Sequence, residues 1–409
     1  MSDYTINISK YEQRRGSVCR WWLDYPVVSK SYSSDDLMNS GIIFQGWVLF
    51  DFPCQAQVYI KQGTEVEFWD LNHSRPDVIK AILKQDFNKH PQLNCGFRFQ
   101  YKLHAQNFEL GVKSNGELYP LVLGSIDGPF KVISGQNGWL FLDNDTNKSV
   151  EQFTGKLLLD SKSKASWFKF MQDLLDITDK LNCKHALLIA PSKEFVYEKF
   201  YPFKKANITP IEQVLKLAPK TINICYPDKI LKLAKERSYR LTDTHWSPYG
   251  AMLASIALVE SLGISINVES LFEDDEYREV DVVGDLGNKV FPAIFSKEKI
   301  LKSFSYRKFL VFDNNLANFG RTMILENEDA PIKGHLVIFG ASSSYSMLDY
   351  LSRVFSKITL MHTAGNIDST ILAKLLPDYL VCQSNARYVI RAPIANYDLE
   401  EVIKVKLSY

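Results

Sequence analysis

No apolar run in the 409 residues reaches the roughly 18 that a bilayer-spanning helix needs, so no transmembrane segment is expected. The N-terminal stretch from Met1 to Trp22 lacks a basic segment followed by an apolar one, and no secretory leader is expected either. An excess of one charge is also missing: 48 Lys and Arg stand against 47 Asp and Glu, a formal net charge of +1. That balance gives no global attraction to nucleic acid or to an anionic surface, and no nucleic-acid partner is expected. The six cysteines, Cys19, Cys54, Cys95, Cys183, Cys225 and Cys382, include no Cys-x-x-Cys pair and no Cys/His metal spacing. Zinc frameworks are thereby excluded, no metal is expected, and the thiols read as reduced core residues of a cytoplasmic protein, or of one peripheral at the inner membrane face. Internal repeats and low-complexity segments are absent as well.

What is present is apolar content of 46% and aromatic content of 13%, enough for two domains with separate cores. Between residues 41 and 123 the apolar period is two, as in Cys95-Gly96-Phe97-Arg98-Phe99-Gln100-Tyr101-Lys102, where alternate side chains face opposite sides of a strand. Ser114-Asn115-Gly116 supplies a hairpin turn between Phe108-Glu109-Leu110-Gly111-Val112 and Leu118-Tyr119-Pro120-Leu121. Gly46 to Phe50 and Gln57 to Ile60 add strands, with a short helical interruption near Ser74 to Leu83. The pattern predicts a β-sandwich over residues 1–125, a carbohydrate-binding-like or interaction domain. After Gly124-Ser125-Ile126-Asp127-Gly128-Pro129 the period changes. Helical stretches (166–181, 228–237) alternate with strand-like runs (185–190, 336–339), which predicts an α/β domain with a largely parallel sheet over 126–409.

The most informative segment is Leu241-Thr242-Asp243-Thr244-His245-Trp246-Ser247-Pro248-Tyr249-Gly250. Ser247 suits an N-cap and Pro248 a first helical position, so Asp243 and His245 fall on irregular backbone just before a helix. An imidazole can take a hydroxyl proton near neutral pH, and a carboxylate can fix its tautomer. The bland alternative is a turn-capping Asp243 and a structural His245. The nucleophile belongs where a buried strand ends abruptly in a helix, as in His335-Leu336-Val337-Ile338-Phe339-Gly340-Ala341-Ser342-Ser343-Ser344-Tyr345. Ser342 is the expected nucleophile, with Ser343 and Ser344 open as helix N-caps and a helix over 345–356.

In order, Gly135-Gln136-Asn137-Gly138-Trp139-Leu140-Phe141-Leu142, then Pro191-Ser192-Lys193-Glu194, then Asp243-Thr244-His245-Trp246, then Gly340-Ala341-Ser342 resemble the SGNH-like O-acetyltransferases of the alginate O-acetyltransferase type. The resemblance spans about residues 130–395 and differs at Ala341, where many SGNH enzymes carry aspartate. It implies a flavodoxin-like parallel sheet, a Ser342, His245 and Asp243 triad, a serine acetyl-enzyme, and O-acetylation of a polysaccharide such as a capsular or other surface glycan. No bound cofactor is expected; acetyl-CoA is the expected acetyl donor, and contact with a glycan-synthesis complex is an expected partnership. Two alternatives stay open: a carbohydrate esterase with the same triad, and an inactive glycan-binding or scaffold protein.

Weaker candidates surround this core. Lys193 follows a strand and is a candidate ligand for an anionic sugar or a CoA phosphate, or else a solvated partner of Glu194. Asn366, Gly340 and Trp246 are candidate oxyanion or substrate contacts. Arg387 is another, with a structural ion pair as the favoured reading. In the N-terminal part Trp47 and Trp69, with Tyr59 and Tyr101, are a candidate aromatic platform for sugar rings, or else core.

Overall fold

A computed structural model describes residues 4–11, 17–28, 30–128 and 132–407. The chain divides into two units: Met1–Lys131 with Gly287–Ile294, and Val132–Leu286 with Phe295–Tyr409.

Alternating burial builds the first unit from strands β1 (Tyr4–Lys10), β2 (Val18–Tyr25), β3 (Ser31–Tyr32), β4 (Ile42–Phe50), β5 (Ala56–Gln62), β6 (Glu65–Asp70), β7 (Gly96–Tyr101), β8 (Asn107–Ser114) and β9 (Glu117–Asp127). They form a six-stranded sheet ordered β3-β1-β9-β8-β5-β6 and a three-stranded sheet ordered β2-β4-β7. The Asn115-Gly116 turn sets Ser114 opposite Glu117 in the β8–β9 hairpin. Ile6, Ile60, Leu110 and Val122 of the larger sheet share one core with Phe44, Phe97 and Phe99 of the smaller, and Phe44 meets Phe108 edge-on at 5.5 Å. The helical interruption is Pro76–Val78 continued by Ile79–Leu83.

This packing corrects the aromatic platform. Trp47 is buried with Leu49, Val78, Ile79 and Cys95. Trp69 lays one face on Phe99, with 3.9 Å between ring centres, and meets Tyr101 edge-on. Tyr59 and Tyr101 are buried as well. Large rings at inward strand positions remove more apolar surface from water than any other side chain can, so they fill the core.

The second unit contains β10 (Val132–Ser134), β11 (Leu140–Leu142), β12 (Lys184–Ala190), β13 (Ile224–Cys225), β14 (Tyr277–Val282), β15 (Ser296–Leu301), β16 (Leu310–Asp313), β17 (Thr322–Glu326), β18 (Ile332–Gly340), β19 (Phe355–His362) and β20 (Tyr379–Asn385). Its main sheet is ordered β13-β12-β20-β18-β19-β17-β16; the first five strands are parallel, and β17 and β16 add antiparallel edges. Numbered along the chain, the parallel strands stand 2-1-5-3-4, which departs from the flavodoxin-like 2-1-3-4-5. The last strand, β20, pairs with both β12 and β18. Its Leu380, Val381 and Cys382 are fully buried, as a central strand requires.

The helix Ser161–Leu181 starts on Asp160, whose side chain accepts from Ser163 N, and buries Trp167, Phe170, Met171, Leu174 and Thr178 at helical spacing. Over 228–237 the helix is shorter than expected, Asp228–Lys232; Leu231 is its one fully buried residue and Leu233 beyond it is left 84% exposed. Among the described residues no helix is long and apolar enough to cross a membrane.

Candidate functional site

Three neighbouring parallel strands, β12, β20 and β18, end on the same side of the sheet, the carboxyl edge where open α/β folds hold ligands. At their ends and just beyond lie Ser192, Lys193 and Glu194, then Asn385 and Arg387, then Ser342 and Ser343, all lining a cavity of about 30 Å³ together with Thr244 and His245. The Asp243-Thr244-His245 segment lies in a narrow loop closed by Ser247 N on Ser238 O at 3.0 Å and Arg240 N on His245 O at 3.3 Å. Ser247 then caps the helix Pro248–Ser261 by accepting from Gly250 N.

Asp243 Oδ1 accepts from His245 Nδ1 at 2.7 Å and from His245 N at 2.8 Å. This keeps the imidazole proton on Nδ1 and turns Nε2 away from the carboxylate. Burial alone would raise the Asp243 carboxyl, but the hydrogen bonds and charge of His245 outweigh it and hold the carboxyl well below its usual range. Burial likewise works against protonated His245, yet Asp243, with a further charge from Asp285, raises its pKa. Asp243, His245 and Asp285 bring one ligand atom each within 4.8 Å of one another, the only such group among the described residues. Two of these three residues, Asp243 and His245, are already joined by a hydrogen bond.

The serine run differs from expectation. The helix is Ser342–Leu351 with Ala341 at the N-cap position, so none of the three serines caps it. Ser344 is buried and donates to Gln383 Oε1 at 2.8 Å, the same oxygen that accepts from Ala341 N at 2.6 Å. Ser343 Oγ donates to Asn385 Oδ1 at 3.0 Å. Ser342 Oγ and His245 Nε2 have no hydrogen-bond partner among the described residues, and none joins the two. Gly340 allows the tight packing here, since a Cβ on it would lie 2.3 Å from Ser344 Oγ.

The chain matches no protein-family model and no curated protein. Among solved structures it is similar to the O-acetyltransferase domain of Pseudomonas putida AlgJ, with 16% identity and a TM-score of 0.41 over 68% of this chain and 99% of that one. It is also similar to Bacillus cereus PatB1, with 13% identity and a TM-score of 0.48 over 66% and 98%. A third is a DHHW family protein from Eubacterium siraeum, with 12% identity and a TM-score of 0.41 over 73% and 95%. The chemistry of the cavity is carried by its own residues.

Several weaker candidates change role. Lys193 is neither solvated nor aimed at an anion: its Nζ donates to the carbonyls of Leu140 at 2.7 Å, Leu241 at 2.8 Å and Asp243 at 3.0 Å. Burial lowers its pKa to about 7 against the opposing carboxylates of Asp243, Asp285, Glu298 and Glu194. Asn366 lies off the cavity, where Thr363 O takes its Nδ2 and Ile394 N donates to its Oδ1. Trp246 is buried, its indole N–H donating to Tyr239 OH at 2.5 Å. Arg387 lines the cavity and lies 3.9 Å from Asp145 Oδ2, while its Nε has no hydrogen-bond partner. Glu194, raised to about 7 by burial, lines the same cavity. Sequence reasoning missed Gln383, Asn385 and Asp285. The first two had a faint signal in polar residues ending an apolar strand; Asp285 had none.

Proposed function

We propose that this chain is a serine-dependent O-acyltransferase in which Ser342 is the nucleophile, His245 the general base and acid, and Asp243 the carboxylate that orients it. One observation carries this reading: His245, hydrogen-bonded to Asp243, lines one cavity with Ser342 at the carboxyl ends of adjacent parallel strands. Of the three serines, Ser342 is the one that lines the cavity with an uncommitted hydroxyl. It also sits at the first turn of a helix, where N–H groups without intrahelical partners favour a developing oxyanion.

Ser342 Oγ attacks the acyl carbonyl as His245 Nε2 takes its proton. The tetrahedral adduct collapses, the donor's thiol leaves with that proton, and an ester to Ser342 remains. A sugar hydroxyl then gives its proton to His245 and attacks the ester; the glycan leaves acylated and Ser342 regains its hydrogen. Acetyl-CoA is the proposed donor, which places the reaction in the cytoplasm, and a capsular or other surface glycan is the proposed acceptor.

Incubation with acetyl-CoA, with and without glycan, tests the reading through thiol release and intact mass. Wild type should gain one acetyl group on the Ser342 peptide, and Ser342→Ala should gain none while turnover falls on the order of 10⁴- to 10⁶-fold. Thiol release that depends on glycan marks transfer, and release without it marks hydrolysis. Acetylation that persists in Ser342→Ala overturns the assignment.

A further inference from the structure

Asp285 stands 41 residues beyond Thr244, in a segment with no motif, yet both of its carboxylate oxygens are directed at the catalytic loop. Oδ1 accepts from Thr244 N at 2.7 Å and Oδ2 from Thr244 Oγ1 at 2.5 Å. The backbone of the same residue closes a ring, because Asp285 N donates to Asp243 Oδ2 at 3.2 Å. Next to it Leu286 N donates to Thr242 O at 3.1 Å. The approach is so close that a Cβ on Gly284 would fall 2.2 Å from Thr242 O, and Gly284 has φ +63°, where an L side chain is strained. Residues 284–286 therefore lie along 242–244 as a splint. The splint touches Asp243 and Thr244, the two residues before His245, and it sets a second carboxylate 3.9 Å from His245 Nδ1.

We propose that Asp285 is a positioning residue for the acyl-transfer reaction: through Thr244 and Asp243 it fixes the direction of the His245 ring toward the cavity that holds Ser342. This rests on the function proposed above. The physical need is plain. Asp243 and His245 lie on irregular backbone with one hydrogen bond to orient the ring, and a general base displaced by about 1 Å loses on the order of 100-fold in rate. A carboxylate that accepts one backbone N–H and one hydroxyl of the intervening residue removes that freedom. The groups that face His245 are Asp243 and Asp285, which favour its protonated form, and Arg387, which opposes it.

The experiment compares wild type, Asp285→Asn and Asp285→Ala by steady-state kinetics with acetyl-CoA, by melting temperature, and by NMR titration of the His245 ring. Asp285→Asn keeps the shape and one acceptor oxygen but removes the charge; kcat should fall about 10-fold with KM within about twofold, and the His245 titration midpoint should move to lower pH. Asp285→Ala should lower kcat by on the order of 100-fold, with Asn restoring part of the loss. If Asp285→Ala does not fold, the near-isosteric Asn variant still decides. Wild-type kcat in a folded variant, a change confined to KM, or a lower melting temperature with an unmoved His245 midpoint each overturns the proposal. The NMR midpoint needs no turnover, so absence of acyl transfer in the wild type would refute the function while leaving the splint to be judged by the ring.

Discussion

Lys193→Met removes a buried ammonium that three carbonyls, of Leu140, Leu241 and Asp243, surround at 2.7 to 3.0 Å. Leu241 O keeps Leu140 N as a partner at 3.1 Å, while a carbonyl left without a partner costs about 1–3 kcal/mol, a loss nearly independent of pH. Against it stands the desolvation of the charge. The folded-state pKa is about 7, below the ordinary 10.5. Between those values the unfolded chain keeps a proton that the folded chain has released, so the wild type gains stability as pH rises across the window. At ~1.4 kcal/mol per pH unit the gain reaches about 4 kcal/mol by pH 10. Met at this position has no such slope. Urea unfolding of both proteins from pH 6.5 to 9.5 reads the effect, because groups not coupled to Lys193 cancel in the difference, and measurements above pH 8 lie beyond the titration of the coupled Glu194, near 7. The wild-type advantage should be smallest near pH 6.5 and should grow steadily above pH 7. A difference that stays flat or shrinks would refute the claim that Lys193 is a desolvated anchor of the Asp243–His245 loop.

The remaining predictions concern the same site. With His245 acting as a base from its neutral form, activity should climb as pH rises through its raised pKa, and Asp243→Asn should shift that acid limb to lower pH while lowering kcat by orders of magnitude; a limb that does not move in the variant contradicts the pairing. Gln383→Leu leaves Ala341 N and Ser344 Oγ without their shared acceptor, so it should destabilise the protein by about 1–3 kcal/mol in thermal unfolding and slow turnover, whereas Ser343→Ala should change stability by less than Gln383→Leu does.

Much of this protein was legible along the chain because the relevant physics is local. The change of apolar period from two to helical follows from which side chains an isolated strand or helix can hide, and it separates the antiparallel strands of the first unit from the parallel-sheet unit. Ser247-Pro248 marks a helix start with residues that cap themselves, and the structure starts that helix at Pro248. Asp243 and His245, two residues apart, reach each other through a single loop. Ser342 follows a strand run whose end is visible in Phe339-Gly340.

The rest depends on groups far apart in sequence, and only tertiary structure decides it. The insertion of β20 between β12 and β18 has no local signature, because a strand buried on both faces reads the same at any interior position. That insertion is what brings Gln383, Asn385 and Arg387 beside Ser342 and fixes which serine keeps a free hydroxyl. Lys193 looked like a surface cation since its partners are backbone carbonyls, which every sequence possesses and no sequence advertises. Trp47 and Trp69 are polar-edged rings whose exposure is set by the packing of two sheets rather than by their neighbours in the chain. Asp285 is the extreme case: an aspartate after a glycine in an unremarked segment, given its place at His245 by a close backbone approach that only Gly284 permits. Residue type and period thus determined the elements and the chemistry on offer; which of those groups meet, and which stay free to react, was decided by the long-range pairing of strands and loops.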